Sequence, residues 1–311
     1  MKPMRKPVTR RHAVKLMAMG LCAAGLGLPP AARALADPAP TLATGAPLPP
    51  IGLGTWISFN VGRDPQLRQA RTEVLRAFFE AGGGMVDCSP MYGSSAKVLG
   101  HALAQLGTPE SLFSAEKVWT RDGGATGAQI ATQASAWNIK RFDLVQVHNL
   151  LAWQPHLEAL REMKAAGQIR YLGVTTSHGR RHRELETIMA REPLDFVQLT
   201  YNLTHREAER RLLPLAAEKG IAVIANRPYD GGRLISRLKN RGPVPNWATD
   251  AFGCRTWADF LLRFIIAHPA ITCAIPATSQ VEHMRENMAA GAGPMPDAAT
   301  RQRMIRFIES L

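Results

Sequence analysis

The chain has 311 residues, of which 46% are hydrophobic and 20% are charged, and its formal net charge is +13. This composition is typical of a soluble globular protein and excludes a low-complexity chain. Seven basic residues and no acidic residue lie in residues 1–36, so the remainder carries a net charge of only +6. A moderately basic surface without aromatic-interleaved basic tracts fits an anionic cofactor or substrate and argues against nucleic-acid binding.

The first 36 residues have the pattern of an export signal. Arg10-Arg11 precedes an apolar run from Leu16 to Leu28, and Ala34-Leu35-Ala36 supplies a small-residue cleavage site. The run is shorter than the roughly 20 residues that a membrane span needs. The adjacent arginines favour a twin-arginine (Tat) signal over a Sec signal. We predict a signal peptide over residues 1–36, cleaved near Ala36 after transient contact with the Tat export machinery. The mature protein is expected to be periplasmic or otherwise exported, without an integral membrane segment.

After the signal, a leader is followed by a regular alternation of strands and helices. Residues 37–49, rich in Pro, Ala and Thr, are expected to be a flexible leader. Apolar runs predict strands over 50–56, 85–89, 112–118, 142–148, 171–176, 196–201, 222–226 and 272–276. Helical spacing of apolar residues predicts helices over 67–79, 94–106, 129–139, 155–166, 181–190, 205–219, 257–268 and from 281 onward. A Gly/Pro-rich loop over about 228–254 interrupts the rhythm.

Eight strand–helix units in about 260 residues predict a (β/α)8 TIM barrel over residues 50–311. The alternative is an open doubly wound sheet. It is disfavoured because Gly52-Leu53-Gly54 supplies only the first half of a Gly-x-Gly-x-x-Gly dinucleotide pattern. No His or Cys spacing suggests a metal site, and the cysteines after the signal are expected to be buried thiols rather than disulfides.

Polar residues follow three consecutive predicted strands where each strand ends. Asp87 ends the second strand, Lys117 lies near the end of the third and His148 ends the fourth, while Tyr92 lies in the loop after Asp87. The carboxyl ends of barrel strands meet at one mouth, so these four side chains are expected to be neighbours. Each alone has an ordinary structural explanation, such as a solvated lysine or a loop-capping aspartate. Together they predict a catalytic site.

The four groups suggest acid–base chemistry on an oxygen atom. A buried lysine needs a carboxylate partner, and Asp87 is placed to supply it. A lysine beside a phenol is expected to lower the pKa of Tyr92 towards the working range, making it a general acid. His148 could then hold the same oxygen by a hydrogen bond.

These motifs resemble those of the aldo-keto reductases, barrel enzymes that use a nicotinamide cofactor without a Rossmann fingerprint and without a metal. The resemblance covers about residues 50–307. Its motifs are Ile51–Trp56, the Asp-x-x-x-x-Tyr-Gly pattern Asp87–Gly93, Lys117-Val118, Val147-His148, Gly173–Thr176, Val197-Gln198, Tyr201-Asn202 and the segment Ile275–Asn287.

The resemblance implies hydride transfer between the cofactor and a small-molecule carbonyl substrate. Tyr92 would be the acid, Lys117 and Asp87 would tune it, and His148 would orient the carbonyl; Trp56, Tyr92 and His148 would contact the substrate. Gln198 would bind the carboxamide, and Tyr201 would stack on the nicotinamide ring. The implied cofactor-binding residues are Gly54, Thr55, Trp56, Asp87, Thr175, Thr176, Gln198, Tyr201, Arg227, Pro276, Ala277, Thr278, His283 and Asn287.

The chain departs from the family pattern at two places. Thr176 stands where the family has an Asn that binds the carboxamide, and the segment after Pro276 has Ala277, Thr278 and His283 in place of Lys, Ser and Arg. NADP(H) is favoured over NAD(H), with fewer cations than usual for the 2′-phosphate. Two other functions stay open. One is a cofactor-holding sensor or interaction module with little turnover, and the other is a cofactor-free lyase or isomerase with Lys117 as a Schiff base.

Overall fold

The computed structural model describes residues 41–42 and 44–311; the predicted signal peptide and the start of the leader lie outside the described residues. Eight parallel strands pair in chain order. They are β1 (Leu53–Gly54), β2 (Met85–Asp87), β3 (Phe113–Val118), β4 (Leu144–Val147), β5 (Tyr171–Thr175), β6 (Phe196–Thr200), β7 (Ala222–Asn226) and β8 (Cys273–Ala274). The sheet closes because Gly52 N–H donates to Ala274 O at 2.8 Å and Gly54 N–H donates to Pro276 O at 2.9 Å. The predicted (β/α)8 TIM barrel is confirmed.

Helices follow the strands and form the outer layer. They are α1 (Pro65–Glu80), α2 (Ser95–Leu106), α3 (Thr126–Trp137), α4 (Trp153–Ala165), α5 (His182–Arg191), α6 (Leu212–Lys219), α7 (Arg233–Lys239), α8 (Asn246–Phe252), α9 (Trp257–Ile266), α10 (Val281–Ala289) and α11 (Ala298–Glu309). None of the helices in the described part of the chain has the length and apolarity needed to cross a membrane.

Two helices lie where the Gly/Pro-rich sequence predicts a continuous loop. The segment after β7 contains α7 and α8, both only seven residues long. Leu234 and Leu238 of α7 and Phe252 of α8 are buried, so each helix covers apolar surface beside the barrel. The prediction missed them because the surrounding Gly and Pro residues mask the short apolar periodicity.

The leader also differs from the prediction, because its described part packs on the barrel. Leu42 and Leu48 are buried with interior residues at the amino ends of the strands, including Phe113 and Phe196. Arg170 Nη2 donates to Thr41 O at 3.1 Å. Removing two leucines from water favours this contact over a free leader. Leu42 and Leu48 therefore cover part of the amino end, while the main cavity opens at the carboxyl end.

Candidate active site

A buried ion pair lies at the carboxyl end of β2 and β3. Lys117 Nζ lies 2.7 Å from each carboxylate oxygen of Asp87. The same ammonium donates to Cys88 O at 2.7 Å, so its three hydrogens all have acceptors. Gln198 Nε2 donates to Asp87 Oδ1 at 3.1 Å from β6. The sequence-predicted partners are therefore brought together inside the barrel.

The Lys117 ammonium keeps its proton. Burial disfavours the charged amine, but the charge and hydrogen bonds of Asp87 outweigh it and raise the pKa of Lys117. Burial raises the pKa of Asp87, and Lys117 opposes that shift. A Schiff base needs a neutral amine, so this arrangement disfavours the lyase or isomerase alternative.

Tyr92 ends a short 3-10 turn, Pro90–Tyr92, that follows Asp87 and Ser89. Lys117 Nζ lies 5.2 Å from the centroid of its ring. Burial raises the pKa of Tyr92, and the charge of Lys117 only partly opposes it. The prediction that the lysine brings this pKa down to the working range is wrong, because desolvation of the phenolate is the larger effect. The phenol therefore carries its proton at neutral pH, as a general acid must.

His148 faces Tyr92 across the mouth. The two ring centroids lie 5.8 Å apart with the rings nearly perpendicular. Burial, together with the charge of Lys117, lowers the pKa of His148 to about 3. The imidazole is therefore neutral near pH 7 and has one N–H group and one acceptor nitrogen.

One cavity of about 530 Å³ opens at this end of the barrel and joins the predicted residues. Most of the sequence-predicted side chains line it: Gly54, Thr55, Trp56, Asp87, Tyr92, His148, Thr175, Thr176, Gln198, Arg227, Ala277, Thr278, His283 and Asn287. Lys117 lies behind Asp87 and Tyr92. Pro276 contributes through its backbone, where its carbonyl accepts from Gly54.

Tyr201 is the exception, because it lies outside the cavity. Its ring stacks on Phe264 with centroids 5.9 Å apart, its hydroxyl donates to Glu209 Oε1 at 2.5 Å, and Arg301 Nη2 donates to that hydroxyl at 2.5 Å. Successive side chains of a strand point to opposite faces, so with Gln198 directed inward, a residue three positions on points outward. The predicted stacking of Tyr201 on the nicotinamide is therefore corrected: it is a core residue between β6 and the outer helices.

Asn226 lines the cavity instead, although no sequence motif marks it as a site residue. It ends β7, where its Nδ2 donates to Thr176 O at 2.8 Å and its Oδ1 accepts from Thr200 Oγ1 at 2.7 Å. Its position at a strand's carboxyl end was the available signal. Asn149 and Ser177 were missed in the same way, and with His178 they line the cavity from the loops after β4 and β5.

The loops at this mouth hold unusual backbone angles. Among described residues other than glycine, nine have positive φ, and all but Asn138 lie in these loops: Ile57, Asn149, Leu150, Ala152, His178, Arg181, Arg227 and Asp230. Ile57 is β-branched and has φ 62°, which is sterically costly. Such strain collects at functional sites, where the surrounding structure imposes it.

Two residues that line the cavity, Thr176 and Arg227, each have a buried polar atom without a hydrogen-bond partner in the described chain. These atoms are Thr176 Oγ1 and Arg227 Nε. The Arg227 side chain is 10% exposed, pairs with Asp230 at 3.0 Å and lies with its guanidinium carbon 5.8 Å from the Trp56 ring centroid. An amide and a phosphate would satisfy such a hydroxyl and guanidinium, so these residues fit a nicotinamide dinucleotide. No cluster of three metal-ligating side chains occurs in the described chain.

Residues 50–302 match the Aldo/keto reductase family. The chain belongs to that family. Among curated relatives of this aldo/keto reductase, the methylglyoxal reductase YeaE of Escherichia coli K12 is 30% identical over 249 residues, covering 78% of this chain and 85% of the relative. An NADH-specific methylglyoxal reductase of the same organism is 26% identical over 234 residues, covering 64% and 68%.

Solved structures agree with this assignment. The crystal structure of an aldo/keto reductase from Klebsiella pneumoniae, in complex with NADP and acetate, superposes with a TM-score of 0.73 at 26% identity, covering 86% of this chain and 93% of that chain. The resemblance stated from the motifs is therefore confirmed. The protein is an NAD(P)-dependent oxidoreductase that reduces carbonyl groups.

Proposed function

We propose that Tyr92 is the general acid of this carbonyl reductase and that His148 orients the carbonyl oxygen. Lys117 and Asp87 support Tyr92. One observation carries this proposal: the buried Lys117 ammonium lies between Asp87 and the Tyr92 ring, with the neutral His148 opposite. Asp87, Tyr92 and His148 line one cavity, and Lys117 contacts it through Asp87.

The proposed reaction moves one proton through the protein. The Tyr92 hydroxyl donates its proton to the substrate oxygen, and a hydrogen bond from His148 holds that oxygen in place. A bound nicotinamide cofactor supplies the hydride. The Tyr92 phenolate left behind is stabilised by the charge of Lys117. The three N–H groups of Lys117 keep donating to the Asp87 carboxylate and to Cys88 O. Lys117 therefore acts through its charge and not as a proton donor.

Residues around the cavity are proposed to hold the cofactor. Gln198 and Thr176 would bind the carboxamide, and Asn226 would lie against the nicotinamide end. The guanidinium of Arg227 would contact the phosphates. Two features support this role: its Nε has no hydrogen-bond partner in the described chain, and its side chain is 10% exposed. Thr278, His283 and Asn287 would hold the adenosine end.

We propose NADP(H) as the preferred cofactor over NAD(H). The NADP complex of the similar Klebsiella enzyme supports this, and Lys239 and His283 supply cationic or ionisable groups along the cavity. The NADH-specific relative shows that members of the family differ in this preference.

The proposed substrate is a small aldehyde or ketone, such as the 2-oxoaldehyde methylglyoxal that the Escherichia coli relatives are named for. Four partly exposed apolar side chains lie at or near the mouth: Trp56, Ile57, Met91 and Trp119. The Trp119 and His148 ring centroids lie 6.4 Å apart. An apolar substituent on the carbonyl would contact this rim.

We further propose that the protein is exported by the Tat route and works outside the cytoplasm, on the strength of Arg10-Arg11 and the apolar run that follows. N-terminal sequencing of protein recovered from the periplasm should begin near Asp37. Recovery of the activity solely in the cytoplasm, with Met1 retained, would contradict this.

The catalytic proposal is tested by following oxidation of NADPH with methylglyoxal and with a set of larger aldehydes. Tyr92→Phe should lose turnover by a factor of at least about 100 while binding the cofactor as tightly as the wild type. Full turnover by Tyr92→Phe would contradict the role given to Tyr92. Cofactor binding is measured separately, by titrating intrinsic fluorescence with NADPH and with NADH.

A further inference from the structure

Ser89 connects the two groups that are proposed to meet the substrate oxygen. It is 1% exposed and lies between Asp87 and the 3-10 turn that ends in Tyr92. Its backbone is extended, and its Oγ accepts from the N–H of Met91 at 3.3 Å. The Ser89 hydroxyl therefore caps the turn that carries the acid.

The same oxygen also touches His148. Ser89 Oγ lies 2.7 Å from Nδ1 of that imidazole, although 59 residues separate the two in the chain. His148 is 5% exposed, and it lines the cavity. A single hydroxyl thus contacts both the turn that carries Tyr92 and the ring of His148.

The direction of the Ser89–His148 hydrogen bond follows from the donors available. The Met91 N–H group can only donate, so it uses a lone pair of Ser89 Oγ. The hydroxyl has one hydrogen, and within the described chain Nδ1 of His148 is the side-chain acceptor that Ser89 Oγ contacts. If Nδ1 carried the proton, the buried Ser89 hydroxyl hydrogen would lose that acceptor, which is costly. With Ser89 as donor, the Met91 N–H group, the Ser89 hydroxyl and Nδ1 of His148 all have partners, and Nε2–H is left for the substrate oxygen.

We propose that Ser89 is a positioning residue that fixes His148 as the Nε2–H tautomer and aligns it with Tyr92. The inference rests on the proposed roles of Tyr92 and His148 in carbonyl reduction. In this tautomer the Nε2–H group of His148 is a hydrogen-bond donor, as the Tyr92 hydroxyl is. Both donors can then serve one carbonyl oxygen, while the opposite tautomer would present a lone pair that repels it. Burial keeps the pKa of His148 at about 3, so the ring is neutral and its tautomer decides its function.

The direct test is the tautomer of His148 in the wild-type protein. Two-bond ¹H–¹⁵N correlation spectra of protein labelled with ¹⁵N-histidine distinguish the two neutral tautomers, and His148→Gln assigns the signal. We expect His148 in the Nε2–H form near neutral pH. Observation of the Nδ1–H form would overturn the proposal. This readout needs no turnover, so it is independent of whether the proposed reaction is correct.

Variants of Ser89 test the consequence for catalysis. Ser89→Ala should give a mixture of tautomers and lower kcat by about 10- to 100-fold, with KM changed far less. Ser89→Thr keeps the hydroxyl and should restore the Nε2–H signal and much of kcat. The matched control is Ser114→Ala, since Ser114 is also a buried serine whose hydroxyl donates to a side chain, Asp143, at the other end of β3.

The expected pattern is that Ser114→Ala changes neither the tautomer nor kcat. A purely structural role for Ser89 predicts that Ser89→Ala and Ser114→Ala lose similar stability while both keep the Nε2–H form and full kcat. That result would overturn the proposal. If Ser89→Ala does not fold, the proposal stays falsifiable, because the Nδ1–H form in the wild-type spectrum would overturn it.

Discussion

The Lys117 ammonium lies 2.7 Å from both carboxylate oxygens of Asp87, with the two side chains only 1% and 3% exposed. Few charges in the described chain are buried so completely. Removing one member leaves an unpaired buried charge, which is far costlier than losing a surface pair. The same geometry that supports Tyr92 is therefore also a feature on which stability depends.

Lys117→Met should lower the free energy of unfolding by about 3–5 kcal/mol, because the Asp87 carboxylate loses its buried partner. Urea denaturation at neutral pH measures this. Lys164→Met is the matched control, since Lys164 contacts both oxygens of Asp195 at 2.6 and 2.7 Å but is 40% exposed. Its loss should be about 1 kcal/mol or less. Equal losses in the two variants would contradict the buried ion pair.

Tyr201→Phe tests the corrected place of this residue. Its hydroxyl bridges Glu209 and Arg301, so deleting it should lower the free energy of unfolding by about 1–3 kcal/mol. The dissociation constant of NADPH should not change, because the ring lies outside the cavity. A clear rise in that constant, with stability intact, would return Tyr201 to the cofactor site.

Arg227→Met should weaken cofactor binding by about tenfold or more, since a charge-assisted hydrogen bond contributes about 1.5–3 kcal/mol. The weakening should shrink as salt concentration rises. Arg233→Met is the control, because Arg233 also pairs with Asp230 but is 74% exposed. We expect the Arg233 variant to bind the cofactor normally. If both variants bind the cofactor equally weakly, the effect comes from losing the ion pairs that hold the loop at Asp230, not from a contact between Arg227 and the cofactor.

Glu116 gives a prediction for pH dependence. This fully buried side chain accepts hydrogen bonds from Lys117 N–H at 2.8 Å and from Trp137 Nε1 at 3.0 Å. Burial outweighs those bonds and raises the pKa of Glu116 from 4.5 to about 8. Between about pH 4.5 and pH 8, Glu116 therefore keeps its proton in the folded protein but has released it in the unfolded chain. The stability from this group is present below about pH 4.5 and is lost as the pH rises through about 8.

Glu116→Gln removes this titration. Between about pH 5 and pH 8, the free energy of unfolding should fall less steeply with pH in this variant than in the wild type. The two slopes should differ by up to about 1.4 kcal/mol per pH unit. Urea denaturation across that range measures the slope, and Glu73→Gln, at an exposed site, supplies the control. Parallel curves for the wild type and Glu116→Gln would contradict a raised pKa.

The barrel was predictable because each strand is a short apolar run between helical segments, and eight such runs fit one closed sheet. The four polar groups at the mouth were predictable for the same reason. Asp87, Lys117 and His148 lie at or near the carboxyl ends of consecutive strands, so the topology alone makes them neighbours.

Other features depend on information that local patterns do not carry. The outward direction of Tyr201 could be read from strand alternation once Gln198 was placed inward. Ser89 could not be linked to His148, because their contact depends on three-dimensional geometry across 59 residues. The pKa of Tyr92 depends on how deeply the ring is buried, and that depth is a property of the whole mouth. The packing of Leu42 and Leu48 likewise depends on an apolar surface at the amino end of the barrel. That surface forms only when the eight strands come together.

The most direct test of the central claim is the fate of the hydride. Methylglyoxal is incubated with the purified protein and NADPH deuterated at C4, with the two C4 diastereomers used separately, and the alcohol product is examined by mass spectrometry. We expect deuterium on the former carbonyl carbon with one diastereomer only, and labelled product from Tyr92→Phe to form at least about 100-fold more slowly. Product whose new carbon-bound hydrogen comes from solvent, or equal label transfer by Tyr92→Phe, would contradict the proposed reaction.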